Sequence, residues 1–459
     1  MRKVKDFISK NYTTFCLLFI TFSFILISYN NKFIFGQDSL TYHLPVARYL
    51  AEHNTLPKYV PYDLYHEEMK KPPLLYLLTY PFFKIFGANE VVAEIVPLTL
   101  QFIFLSFMWW WLEKEGAKFP IYLITLLISF YVIDLLVWYY QACVVVLFSA
   151  ISFYFFIKFF DEWKERDLLL LALFSSLSAL SKTTGFAILI LFAVAYTFYI
   201  HKKGRDLKKV TIITLTSLLL ISPAIWWYVT HNTLSQVEGY VLSSSYIFRE
   251  RLGIWIFHPE FVVMLGIVLG FYDKLKPSER VLLFTSLPII LLAIYKGAEP
   301  RYISLFSPLT IFLIAKYLSR LPFNRTFLKA VLVLVMTIFI LNPLFNFFNP
   351  QYGKEVQLHH LRDACSYLTS TYGEDKFVVG DADFGIGWWC RYNFTTLKKY
   401  LANTSKYPKP DFVLDCWWDF CSHPLQNYCE KEDLKKMEKV CQNLTLIWSD
   451  RANYIYKCG

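Results

Sequence analysis

The sequence predicts a multi-pass α-helical membrane protein with a small α/β domain at its C-terminal end. Three observations carry that expectation. Of 459 residues, 56% are hydrophobic and only 18% charged, against about 45–50% and 25% in soluble domains. Long apolar runs recur up to residue 347 and then stop. Seven of the nine cysteines lie between Cys365 and Cys458. Phe, Tyr and Trp supply 19% of the chain, which excludes a disordered polymer.

Charge divides along the chain. Residues 351–459 carry 14 basic and 14 acidic side chains, so the net +10 belongs to the apolar part. Membrane proteins hold such an excess on cytoplasmic loops. No basic run is interleaved with stacking aromatics, so nucleic acid is excluded as a partner.

The first element follows Arg2, Lys3, Lys5 and Lys10: an apolar run over 12–29, long enough to span and without a small-residue cleavage site. Further runs cover 74–86, 91–112, 119–137, 139–157, 168–181, 185–200, 210–228, 254–271, 281–295, 302–318 and 330–347. Basic loops separate alternate runs: Lys114/Lys118, Lys158/Lys164/Arg166, Lys202 to Lys209, Lys274/Lys276/Arg280, and Arg320/Arg325/Lys329. That bias places the N-terminus inside. The 74–86 run is short of the roughly 20 residues a crossing needs, and it contains Pro81. Read as re-entrant or interfacial, it leaves eleven crossings and puts the tail outside. No internal repeat is visible.

The domains expected are 1–347, the transmembrane part with an external loop over 30–71, and 348–459, a cysteine-rich extracytoplasmic α/β domain. In the latter, 377–380, 411–414, 444–448 and 454–456 read as strands, and 356–368 and 431–440 as helices. The cysteine density without a CxxC pair reads as disulfides in an oxidising compartment. Sequons at Asn393, Asn403 and Asn443 agree with an outside location. Trp388–Trp389 and Trp417–Trp418 read as core residues, with sugar stacking the alternative. Asp381 and Asp383 follow a strand and suit a turn or a ligand-facing tip.

The external loop concentrates the polar chemistry. Asp38 sits past the first run, followed by an amphipathic pattern (Leu40, Leu44, Ala47, Leu50) that suggests a helix lying on the membrane surface. Asp63, His66, Glu67 and Glu68 form an acidic and histidine cluster, closed by Lys70, Lys71 and Pro72–Pro73. Asp134 is an ionisable residue in an apolar run, a functional candidate by default. A polar connector from His231 to Arg251 is long enough to serve as a lid.

Asp38 with Tyr42 and Ala47, then Lys71-Pro72-Pro73-Leu74-Leu75-Tyr76, then Phe86-Gly87-Ala88-Asn89-Glu90 resemble integral-membrane glycosyltransferases of the GT-C class. The nearest group is that of the protein O-mannosyltransferases and aminoarabinose transferases. The likeness continues through Ser178-Ala179-Leu180-Ser181-Lys182-Thr183-Thr184-Gly185 to Glu299-Pro300-Arg301-Tyr302 and Pro308, covering about 12–320. The sequence departs from many relatives at Ser39, Lys70 and Glu94, and Gln141 stands near where relatives carry an acid.

The resemblance implies sugar transfer from a polyprenyl-phosphate donor to a protein, lipid or glycan acceptor on the outer face. The membrane would be the plasma membrane of a prokaryote or the endoplasmic reticulum of a eukaryote. Asp38 is then the catalytic base, since an acceptor hydroxyl needs a carboxylate within hydrogen-bond reach; its plainer role is a helix N-cap. Lys71, Lys182, Arg301 and Tyr302 are the candidates for the donor phosphate, whose leaving charge needs cations. His66, Glu67, Glu68 and Asp134 are candidates for acceptor contact or a divalent metal; no cofactor is certain. The rival functions are a non-catalytic lipid-linked sugar flippase and a membrane assembly protein.

Overall fold

The computed structural model describes residues 12–23, 39–62, 68–129, 132–133, 136, 139–204, 206–231, 259–295, 303–348, 358–380, 385–416, 431–449 and 453–459. The chain is a multi-pass helical membrane protein with a small C-terminal sheet domain. It divides into two compact units: residues 1–27, 70–78 and 94–345 form the first, and residues 28–69, 79–93 and 346–459 the second.

The first unit is helical. Its elements are α1 (Tyr12–Ser23), with the helix α3 (Leu74–Phe86) beginning in it and α4 (Glu90–Lys114) running through it. There follow α5 (Phe119–Ile128), α6 (Gln141–Glu162), α7 (Glu165–Ser181), α8 (Leu189–Lys203), α9 (Leu207–Thr230), α10 (Pro259–Phe271), α11 (Pro277–Tyr295), α12 (Ser307–Leu318) and α13 (Arg325–Phe348). These match the apolar runs. Within the run over 119–137, α5 ends at Ile128, and Val132 and Ile133 are again helical, with their N–H groups on the Ser129 carbonyl. Gln101 on α4 donates to the Ile133 carbonyl at 3.1 Å.

Among the described residues four helical stretches are long and apolar enough to cross a membrane: Glu90–Lys114, Gln141–Glu162, Thr183–Lys203 and Leu207–Thr230. At 13 residues, α3 is about 20 Å long, less than the roughly 30 Å hydrocarbon core. A helix apolar on all sides is buried by its neighbours or faced by lipid. α6 takes the first course, with Ala142 to Val146, Ala150, Phe153 and Phe156 all buried. α9 takes the second, leaving Leu215, Leu219, Trp226 and Val229 exposed. Small residues let α6 and α7 approach closely, and the hydroxyls of Ser149 and Ser178 meet at 3.0 Å.

Charges tie the ends of these helices together. Lys316 on α12, 1% exposed, is ion-paired with Glu279 on α11 and with Glu115 at 2.6 Å. Lys276 reaches Glu115 at 3.0 Å and Asp161 at 3.7 Å. The Tyr317 hydroxyl donates to Glu279 at 2.5 Å. Burial pushes the Glu115 carboxyl up, but the hydrogen bonds and charges of Lys316 and Lys276 outweigh it and hold the group below its usual range. Buried Asp167, in the first turn of α7, faces Arg166 at 3.4 Å and Lys158 at 3.7 Å.

The second unit is built on a five-stranded sheet: β1 (Phe377–Gly380), β2 (Asn393–Thr396), β3 (Phe412–Cys416), β4 (Leu444–Ser449) and β5 (Asn453–Cys458), in the order β2-β1-β3-β5-β4. The β2-β1-β3 side is parallel and β3-β5-β4 antiparallel. Period-2 alternation makes two cores. Val378, Phe412 and Leu414 pack with Leu361, Ala364 and Leu368 of α14 (Leu358–Tyr372). Phe377, Val379 and Val413 pack with Leu397 and Tyr400 of α16 (Leu397–Ala402), and with Met437 of α17 (Lys431–Cys441). The short helix α15 (Ile386–Trp389) precedes β2. Disulfides Cys365–Cys390 and Cys441–Cys458 close loops of 25 and 17 residues, as the cysteine density led us to expect. Cys421 and Cys429 lie outside the described residues.

Loop one enters this unit through α2 (Leu44–His53). The amphipathic pattern suggested a helix on the membrane surface, but the structure fills its apolar face with protein. Leu40, Leu44 and Ala47 are fully buried, and Arg48 is 7% exposed. The Arg48 guanidinium lies 3.8 Å from the Trp388 ring centroid, and Nη1 donates to the Trp388 carbonyl at 2.6 Å. A cation on the buried face needs a partner that membrane hydrocarbon does not supply.

Replacing Lys316 by Met leaves two carboxylates without their buried cation. The expected loss is about 3–5 kcal/mol, read as a lower apparent melting temperature in detergent. Adding Glu279→Gln to that variant is expected to restore part of it, and a single variant melting like the wild type would refute the coupling.

Candidate functional site

In the first unit, three sequence-distant segments meet. The Pro72 carbonyl accepts a hydrogen bond at 2.9 Å from the Gln141 side-chain amide, at the first turn of α6. Tyr140, the residue before that helix, is extended and half of a second contact: its ring centroid is 4.9 Å from the Lys182 ammonium. The Lys71-Pro72 turn, Tyr140–Gln141 and Lys182 are thereby linked. Lys71 is half-buried and Lys182 is 3% exposed. A lysine so buried is costly unless surrounding groups offset its desolvation. The face of Tyr140 provides part of that offset.

The local sequence explains why Lys182 stands there. α7 stops at Ser181, Lys182 is extended (φ −155°, ψ 148°), and Thr183–Ile188 form a 3-10 turn before α8. Gly185 makes the break close: a Cβ there would lie 2.0 Å from the Ser178 carbonyl oxygen. The Tyr228 hydroxyl on α9 sits at 3.1 to 3.2 Å from the carbonyls of Ala179, Lys182 and Thr183. Having a single proton, it is shared among these carbonyls, of which that of Lys182 also accepts from the Gly185 N–H at 2.8 Å.

Two further buried acids belong to this unit. Glu94 on α4 is 4% exposed. Glu260, in the first turn of α10, is fully buried and accepts from the Ser307 hydroxyl at 3.0 Å. Glu260 was not singled out in the sequence. Its signal was there: an ionisable residue inside the apolar run 254–271. Gln141 was noted only as standing in an acid's place, and its bond to Pro72 has no local sequence sign.

In the second unit, the residues just after Asp38 form a π-helical turn, Ser39–His43, with Ser39, Leu40, Tyr42 and His43 buried. Single π turns favour functional positions. α2 ends at Asn54 in the left-handed conformation, and Asn54 accepts from the Tyr80 hydroxyl at 2.8 Å. Lys84 donates to the Ala51 carbonyl at 3.1 Å. The FGANE motif is a helix junction. Gly87 (φ +82°) closes α3, and the Asn89 side chain accepts from Val92 N–H at 3.0 Å, capping α4. Glu90 accepts from the Trp389 indole N–H at 2.6 Å and pairs with Arg362 at 3.0 Å. Burial, followed by the neighbouring Arg391, pulls the Arg48 pKa down to about 10. Trp388 is buried between Arg48 and Phe83, so it is a core residue and offers no face to a sugar.

Of the residues singled out from sequence, Lys71, Lys182 and Glu68 are described. Glu68 is exposed and bridges Tyr59 in antiparallel fashion. Asp38, His66, Glu67, Asp134, Arg301 and Tyr302 lie outside the described residues, as do 232–251, Asp381, Asp383 and Trp417–Trp418. Among the described residues no three His, Cys, Asp or Glu side chains group as metal ligands.

Gln141→Leu leaves the buried Pro72 carbonyl without its donor. The expected cost is about 1–3 kcal/mol, with faster protease cleavage at Lys70 and Lys71 in detergent. Unchanged melting and cleavage would show that Gln141 does not hold this turn.

No protein-family model and no curated protein sequence matches the chain. Several solved structures resemble it, two of them of one protein. The crystal structure of ArnT from Cupriavidus metallidurans in the apo state superposes with a TM-score of 0.61 at 10% identity, over 98% of each chain. The structure of the same ArnT bound to undecaprenyl phosphate gives a TM-score of 0.58 at 11% identity, over 97% of this chain and 98% of that one. At such identities the likeness is one of architecture, and from end to end the protein has the fold of ArnT.

Proposed function

We propose that the protein is a membrane glycosyltransferase of the GT-C class, which moves a sugar from a polyprenyl-phosphate carrier to an acceptor on the outer face. The observation that carries this reading is the fold shared over nearly the whole chain with ArnT, one of whose structures holds undecaprenyl phosphate. The motifs in the sequence and the linked Lys71, Gln141, Tyr140 and Lys182 support it.

The chemistry assigns roles. Asp38 accepts the proton of the acceptor hydroxyl as that oxygen bonds to the sugar's anomeric carbon. The bond from that carbon to the phosphate oxygen breaks, with inversion, and polyprenyl phosphate leaves with the electron pair. Lys71, Lys182 and Arg301 stabilise the growing phosphate charge, and Tyr302 hydrogen-bonds to it. Glu68, with His66 and Glu67, is the place for acceptor contact or a divalent metal, and Asp134 is the reserve carboxylate. No step is routed through a metal.

The topology follows the charge bias. The N-terminus is inside, eleven segments cross, α3 is re-entrant or interfacial, and residues 348–459 lie outside. The two disulfides support that side for the tail.

The test is sugar transfer by purified protein in liposomes, from radiolabelled polyprenyl-phosphate sugars to membrane extract. Asp38→Asn is expected to lower turnover by about 100-fold or more while donor binding survives. Equal turnover would move the base to Asp134 or the Glu67–Glu68 pair. Donor binding without transfer from any sugar would favour a flippase or an assembly protein.

A further inference from the structure

The two edges of the outer sheet are treated differently. β2, at one edge, is covered: the Phe394 N–H donates to the Tyr62 carbonyl of loop one at 2.9 Å. β4, at the other edge, pairs only with β5 among the described residues. Its sequence, Leu-Thr-Leu-Ile-Trp-Ser, has no charge, no proline and no glycine. Thr445 is exposed and Leu446 is 49% exposed. Such a strand is a template for pairing with another chain, and proteins in water blunt it with lysine, proline, a bulge or a cover. A bulge is present between Leu446 and Trp448. It lies beyond the first half of the strand, Leu444 to Leu446, whose outer side has no strand partner among the described residues.

The residue directly before that half is Asn443, and Asn443-Leu444-Thr445 is a sequon. Its setting is rigid and projecting. Gln442 (φ 62°) turns the chain out of α17, and the Asn443 carbonyl accepts from Gly459 N–H at 2.9 Å. The Cys441–Cys458 disulfide locks the same corner. Asn443 and Thr445 are both exposed. At Asn393 the asparagine is exposed, but its partner Thr395 is 2% exposed within β2. At Asn403 the asparagine is half-buried beside exposed Thr404 and Ser405. An acceptor sequon must offer both the asparagine and the hydroxyl residue two positions on, so the folded domain presents Asn443 best.

We infer that Asn443 carries an N-linked glycan that shields the open edge of β4. The Asn443 amide nitrogen bonds to the anomeric carbon of an oligosaccharide and gives up one proton. The bond from that carbon to a lipid-linked phosphate oxygen breaks, and the lipid phosphate or pyrophosphate leaves with the electron pair. The donor is a lipid-linked oligosaccharide, and the catalyst a separate oligosaccharyl transferase. A bulky, hydrated group at the first position of the strand keeps a second strand from docking along it. This inference rests on the outside placement of residues 348–459.

The test uses full-length protein purified from its native membranes. The peptide containing Asn443 is weighed with and without a glycosidase that converts glycosylated asparagine to aspartate. Asn443→Gln and Thr445→Ala are compared, the second removing the sequon while keeping the asparagine. On membrane vesicles sealed with the non-cytoplasmic face outward, exposed Lys439 is labelled with a membrane-impermeant amine reagent. The expected result is sugar mass on Asn443, absent from both variants, with both variants forming dimers or larger species in detergent. A bare Asn443 on a domain whose Lys439 labels from outside overturns the inference and leaves the transferase reading standing. Failure of the outside label overturns this inference and the assigned topology, while the transfer assay tests the enzyme separately. A glycosylated Asn443 whose loss leaves the protein monomeric keeps the site and overturns the shielding role. A bare Asn443 in a protein that cross-links through β4 makes that edge an interface between copies.

Discussion

An interrupted helix in apolar surroundings must find partners for its backbone, and the first unit is organised around how one such interruption is satisfied. The Ser181–Thr183 segment leaves carbonyls that cannot be left bare in a low-dielectric interior. Tyr228, from two helices further on, brings one hydroxyl within reach of the Lys182 and Thr183 carbonyls and of that of Ala179 in the last turn of α7. Gly185 removes the side chain that would strike the Ser178 carbonyl. With the break so stabilised, Lys182 turns out of the helix and its ammonium reaches the Tyr140 ring. The cation's position is a consequence of the backbone solution. A continuous helix through 181–189 would carry residue 182 elsewhere on the α7 surface.

The same unit uses charge in a second way. The Lys316, Glu279, Glu115 and Lys276 cluster joins the ends of α4, α11 and α12 through a buried network in which each charge has an opposite neighbour. Glu115, Lys276 and Glu279 come from segments that the hydropathy profile reads only as basic loops, and Lys316 from the end of the apolar run 302–318. A cluster of this kind adds little net stability over an apolar equivalent, but it penalises any arrangement that separates the partners. That makes it a device for register between helices whose apolar surfaces alone would let them slide.

In the second unit, Arg48 and Trp388, separated by 340 positions in the chain, are held as donor and carbonyl and as cation and ring. The Cys365–Cys390 disulfide ends one residue beyond α15, which contains Trp388. The helix that follows Asp38 is thus part of the same compact body as the sheet. Glu90 adds to this body, bonding Trp389 and Arg362 from the helix junction at FGANE.

Much of the fold was legible locally. Hydropathy marked every described helix of the first unit, because a membrane-facing or buried helix must be apolar along its length whatever its neighbours are. In the C-terminal domain β1, β3, β4 and β5 were readable as apolar runs. β2, α15 and α16, at four to six residues each, are too short to show a period. The candidate site was legible as residue types in motifs, and Lys71 and Lys182 were named from them. By itself the sequence determined the membrane class, the places of the helices, the cysteine-rich C-terminal domain and the polar residues worth asking about. The link from Gln141 to Pro72, the three carbonyls at Tyr228, the burial of α2 and the place of β4 at the end of the sheet were decided only by tertiary structure. Hydropathy and capping act between residues a few positions apart, whereas these contacts depend on where distant segments are brought together, which no local pattern encodes.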